Sequence, residues 1–162
     1  QYTLSLHDAL PILKLMLELE ADVVYGLYPF RKGGTWNCFT RIDRKTATRL
    51  TSLDKSIQRG AWGSVIESEG MGTGCTLIHR HVLEAIPFRV VEDRLNHDWV
   101  FALDFKNEGF TQMHDLRFLC GHIDEQFHDP CVMYCDLDEG VRFEYQGWFE
   151  KAEAGDLWLT PQ

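Results

Sequence analysis

The stretch ADVVYGLYPF, residues 21–30, constrains this chain more than any other. It is a short apolar run with β-branched residues, closed by proline, and that pattern predicts a buried strand. Directly before it, LKLMLELE has helical composition and predicts a helix over Leu10–Glu20. A helix that passes into a buried strand with almost no connection suits an α/β sheet. The first twelve residues, QYTLSLHDALPI, stand apart because they look like translated sequencing-adaptor read-through. Residues 1–12 are therefore expected to be a non-native leader, outside fold reasoning, with the natural protein continuing upstream.

Further along, WNCFTRID, WGSVIESEG and MGTGCTLIHR predict three more strands, and RKGGTW a loop. Residues 43–60 are polar and mixed, which predicts a loop with at most one helical turn. Glycines at 70, 72 and 74 point to a bulge or a close backbone approach. HRHVLEAI predicts a short helix stopped by Pro87, followed by a loop through FRVVEDRLN. Asn96 is a good N-cap and Gly109 a good stop, so a helix is expected between them with Val100, Phe101, Leu103 and Phe105 on its apolar face. FTQMHDLRFLCGHI predicts a strand or a strand pair, with Asp115 near the turn, and VRFEYQGWF predicts one more strand.

Charge and cysteine content narrow the classes. Net charge is -9, of which residues 124–162 carry -8, so an almost neutral body ends in an acidic C-terminal extension. That distribution argues against nonspecific nucleic-acid binding, and no nucleic-acid partner is expected. No apolar run approaches the roughly 20 residues that span a bilayer, so no transmembrane segment is expected. The five cysteines show no regular spacing, which suits reduced thiols and a cytoplasmic setting.

Two places carry possible chemistry. Asp98 lies two residues past the expected cap, where unpaired N–H groups and the helix dipole favour an anion. A carboxylate there can take a proton from a bound hydroxyl, and it equally fits a residue that only supports the cap. Cys120, His122, His128, Cys131 and Cys135 fall within 16 residues and are all zinc-ligand types. Their spacings, C-x-H, H-x2-C and C-x3-C, lack the paired C-x2-C knuckles of a zinc finger. The glycines at 70, 72 and 74 do not form G-x-G-x-x-G, and no P-loop, G-x-S-x-G or H-E-x-x-H is present.

Four pieces in order carry a family resemblance: DVVYGLYPFRKGG, GMGTGCTLIHRHVLEAIPF, HDWVFALDFKNEGF and LRFLCGHI. Over residues 13–123 the chain resembles the C-terminal part of GT-A glycosyltransferases, especially family 2-like enzymes of bacteria and phages. The resemblance implies an α/β fold with a mixed sheet and flanking helices. It also implies a nucleotide-sugar donor, a hydroxyl-bearing acceptor and a divalent metal, Mn or Mg. On this alignment of motifs Asp98 falls on the Asp of the family's acidic pair, the acceptor base of inverting members, while His97 replaces the first acid. Gly72 and Gly74 fall on glycines that let a sugar approach, Arg31 on a basic residue after the first strand, and His122 on a metal-ligating His. The family's Asp-x-Asp metal site would lie where the leader stands, and Asp8 alone does not replace it. The implied state is a partial catalytic domain, inactive as written, cut from an active full-length parent. Two other readings remain open: a zinc-stabilised noncatalytic binding module, and a transferase-like domain used for assembly.

Overall fold

The computed structural model describes residues 13–14, 16–30, 35–70, 72–89, 97–124 and 131–145. The leader, Arg31, Asn96, His128 and residues 146–162 lie outside them. The fold is mixed α/β. Its centre is β1 (Val23–Leu27), parallel to β6 (Gln112–Leu119) and antiparallel to β5 (Thr76–Ile78), while β4 (Val65–Glu67) runs antiparallel to β6. The sheet order is β4-β6-β1-β5. Every residue of β1 is buried, as a central strand covered on both faces requires.

The alternation of β1 assigns its two faces. Val23 and Tyr25 pack with Val82, Ile86, Phe101 and Phe105, which come from two helices and the end of the first, α2 (Arg80–Ala85) and α3 (His97–Asn107). Val24 points the other way, onto Met16 and Ala21, and residues 16–19 are helical. The expected strand and its preceding helical turn are thus present, with helices on both sides of the sheet.

α3 ends by a recognisable device. Gly109 adopts φ +80°, its N–H donates to the Lys106 carbonyl at 3.1 Å, and the Phe110 N–H donates to the Phe105 carbonyl at 3.0 Å. This is the Schellman pattern, and the Phe105 and Phe110 rings meet edge to face at 6.4 Å. The expected apolar face holds at Val100, Phe101 and Phe105, but Leu103 is only half-buried and Ala102 takes the fourth buried position. The reason is Gly70: a Cβ there would lie 2.4 Å from Ala102 Cβ, so the strand's backbone and the helix meet where both side chains are minimal.

Residues 43–60 depart most from expectation. They hold β3 (Ala47–Arg49), a 3-10 turn (Leu50–Ser52) and α1 (Lys55–Ala61) rather than a loop. β3 pairs antiparallel with β2 (Phe39–Ile42) around a turn organised by Asp43. The Asp43 carboxylate accepts from the Thr46 hydroxyl and from the amides of Lys45 and Thr46, and these bonds hold it down near about 2. α1 starts at Asp54, whose side chain accepts from the Ser56 N–H. Side-chain bonds to the backbone, not apolar periodicity, define this region.

Asp115 also differs: it lies inside β6, buried, held by Arg117 at 2.8 and 3.0 Å, and not near a turn. Beyond β7 (His122–Asp124), β8 (Cys131–Asp136) and β9 (Gly140–Tyr145) complete a three-stranded antiparallel sheet. This sheet draws β8 and β9 from the acidic extension yet packs on the body. Cys135 joins Leu27, Trp36, Cys38, Leu50 and Leu116, and the Trp36 indole N–H donates to the Gly140 carbonyl at 2.6 Å.

Candidate functional site

The two parallel strands, β1 and β6, end on the same side of the sheet. In open α/β sheets the crevice outside the carboxyl ends of parallel strands is the preferred ligand position. Here that crevice is bordered by Tyr28 and Pro29 after β1, by His122 after β6, by the glycine loop before β5, and by the head of α3.

Tyr28 organises it. Buried Asn37 fixes the backbone around it: the Asn37 side chain accepts from the Tyr28 N–H and donates to the Gly26 carbonyl, both at 2.9 Å. Its phenol then fills the space above the glycine loop. A Cβ on Gly72 would lie 2.2 Å from Tyr28 Oη, and one on Gly74 would lie 2.9 Å from Tyr28 Cζ. The Gly74 N–H donates to Tyr28 Oη at 3.1 Å. Gly72 and Gly74 therefore make room, and the phenol of Tyr28 occupies it. Burial, with Asp98, Cys75 and Cys120 nearby, pushes the Tyr28 phenol up to about 12, so it is a neutral hydrogen-bonding group at pH 7.

Asp98 stands in the first turn of α3, half-buried, and accepts from the Thr73 hydroxyl at 2.8 Å. Thr73 lies between the two glycines, so this bond ties the carboxylate to the loop above Tyr28. His97 is exposed and makes no hydrogen bond to Asp98 among the described residues. His122 lies on the other flank of Tyr28, with ring centroids 6.2 Å apart. Its Nδ1 is 2.8 Å from the Pro29 carbonyl. A carbonyl only accepts, so Nδ1 carries a proton in this contact.

Asp98, Gly72, Gly74 and His122 thus come together around Tyr28, while Arg31 lies outside the described residues. Sequence reasoning missed Tyr28 and Thr73. Tyr28 resembled a core aromatic in an apolar run, although the small residues at 72 and 74 signalled that something bulky lay over them. Of the cysteine-histidine cluster, the side chains of His128 and Cys131 lie outside the described residues. Cys135 is buried in an apolar cluster, and desolvation raises its thiol above the ordinary range, which disfavours the thiolate that zinc needs. Cys120 instead faces Cys75 across Gly26, both sulfurs 2.8 Å from where a Gly26 Cβ would be. Among the described residues no group of three His, Cys, Asp or Glu side chains could hold a metal ion.

No family model matches this chain, and no curated protein matches it. Among solved structures it is similar to the crystal structure of A197 from STIV, at 17% identity and a TM-score of 0.53. The match covers 85% of this chain and 58% of A197, so the chain spans little more than half of that protein's length. At this identity the likeness concerns the fold alone.

Proposed function

We propose that this chain carries the acceptor side of a GT-A type glycosyltransferase, with Asp98 as the base that takes the proton from an acceptor hydroxyl. The observation that carries the reading is the placement of Asp98. It is a half-buried carboxylate at a helix head, tied by Thr73 to a glycine loop, at the carboxyl ends of two parallel strands. Tyr28 supplies a neutral phenol beside it, seated over the glycine loop.

A nucleotide-sugar diphosphate is ordinarily held with a divalent cation bound by several oxygens. The described residues do not by themselves make such a centre. Donor and acceptor remain proposed partners on the strength of the four motifs and the crevice. The thiols of Cys38, Cys75, Cys120 and Cys135 are unpaired, which suits a reducing, cytoplasmic setting. Among the described residues no helix is long and apolar enough to cross a membrane.

The test is nucleoside diphosphate release from a panel of nucleotide-sugars, with and without mixed hydroxyl acceptors. It uses the chain extended upstream wherever its reading frame continues. Acceptor-dependent release is the expected outcome. Absence of release from every donor, together with absence of donor binding by calorimetry, overturns the proposal.

A further inference from the structure

Beside Asp98 lies a second concavity, and its chemistry points to what the acceptor carries. The β2–β3 hairpin, the 3-10 turn after it and the first turn of α3 border an open depression of about 320 Å³, lined by Phe39, Arg49, Thr51, Ser52, Thr35 and Trp99. That volume is near the lower end of the roughly 300–1,000 Å³ typical of ligand pockets. It suits one sugar-sized group better than a whole nucleotide-sugar.

Arg49 is the charged group in this wall. Its guanidinium lies over the rings of Phe30 and Phe39, 4.9 and 5.2 Å from their centroids, which fixes its plane. It donates one hydrogen bond, to the Thr35 hydroxyl at 3.0 Å, and has no carboxylate partner among the described residues. A guanidinium has five N–H donors in a planar fork that matches a carboxylate or phosphate. The Thr51 hydroxyl in the same wall is buried and has no hydrogen-bond partner among the described residues.

The aromatic surface is fixed as well. The Trp99 indole N–H donates to the Asp43 carbonyl at 3.2 Å, and its ring lies 6.0 Å from that of Phe39. Packed aromatic rings lie between this pocket and the Asp98 crevice. Phe30 lies beneath Arg49, its ring meets Tyr28 edge to face at 6.0 Å, and a Cβ on Gly72 would lie 3.4 Å from Phe30 Cε1. Trp99 itself follows Asp98 in the chain.

We infer that this pocket binds an anionic sugar, with Arg49 on its carboxylate or phosphate and Trp99 against the ring. The inference rests on the proposed transfer reading only in calling that sugar the acceptor. The anion site itself stands on the pocket.

Tryptophan fluorescence titration of the full chain with glucuronate, glucose 6-phosphate, glucose and inorganic phosphate tests it. At least one of the two anionic sugars should bind tenfold or more tightly than glucose and than inorganic phosphate, and whichever does so distinguishes carboxylate from phosphate. Arg49→Gln should abolish that preference and Arg49→Lys should restore part of it. Thermal melts of each variant show whether it is folded, and Arg49→Lys keeps the test open should Arg49→Gln fail to fold. Glucose binding as well as both anionic sugars, inorganic phosphate binding as well as the sugar phosphate, or an unchanged preference in folded Arg49→Gln overturns the inference. An Arg49-dependent preference in a protein that transfers no sugar would keep the anion site and remove the acceptor. Asp98-dependent transfer without that preference would do the reverse.

Discussion

The central β1–β6 pair and the outer β2–β3 layer are held by different forces. β1 is buried along its whole length and packs through apolar side chains on both faces, with a few buried polar anchors at its end. The outer layer buries Phe39 and Ile42 and is otherwise fastened by charged and polar groups near water. Asp43 organises its turn, and Lys106 on α3 bonds both Glu69, at 2.5 Å, and the Ile42 carbonyl, at 2.9 Å. Desolvation alone would raise the Glu69 carboxyl, but its bonds to Lys106 and the Ile42 amide hold it below the usual range. Removing a buried anchor leaves unpaired groups without water, whereas removing a surface partner leaves groups that water can satisfy. The core should therefore fail abruptly and the outer layer gradually.

The largest expected effect is at Asn37. Asn37→Leu would orphan the Tyr28 N–H and the Gly26 carbonyl, for a loss of about 2–6 kcal/mol at roughly 1–3 kcal/mol per buried group. Urea melts measure it, and a loss equal to that of a surface substitution would erase the contrast between the regions.

His114 should follow. It is fully buried in β6, stacked on Tyr25 at 5.1 Å, and desolvation depresses its imidazole to about 3. The unfolded chain binds a proton there near the ordinary value of about 6.5, while the folded chain stays neutral. Stability is thus fully present above about pH 6.5 and declines as pH falls toward 3, by about 1.4 kcal/mol per unit from this residue. Melts at stepped pH should show a shallower decline in His114→Gln than in the parent chain. Parallel curves would reject the assignment.

Smaller effects belong to the outer layer. Lys106→Met should cost about 1 kcal/mol or less, because both partners of that ion pair are about one-third exposed. Arg80→Ala, which breaks the exposed pair with Glu84 on α2, gives the surface reference and should cost about 0.5 kcal/mol or less. A Lys106→Met cost that approaches the Asn37→Leu effect would show that the two regions do not differ in kind.

The same contrast explains what the sequence disclosed. β1, α2 and α3 were legible because apolar period and stop signals, such as Pro87 and Gly109, agree with their packing. Residues 43–61 were not, because capping by Asp54 and turn bonding by Asp43 leave no apolar period. β8 was hidden by the acidic composition around it, although Val132, Met133, Tyr134 and Cys135 are all buried. At the site, Asp98, the glycines and His122 were visible as residue types, but their convergence on Tyr28 is a tertiary fact. Arg49 was lost in a polar stretch, and only the pairing of β2 with β3 sets it beside Phe39.

The central claim is that Asp98 takes the acceptor proton. It is tested most directly by acceptor-dependent turnover of Asp98→Asn in the upstream-extended protein, with donor affinity measured in parallel. A base contributes about 10²–10⁴-fold, so turnover should fall by that factor while donor affinity stays essentially the same. Turnover equal to that of the unsubstituted protein, or a loss matched by equal loss of donor binding, would contradict the account.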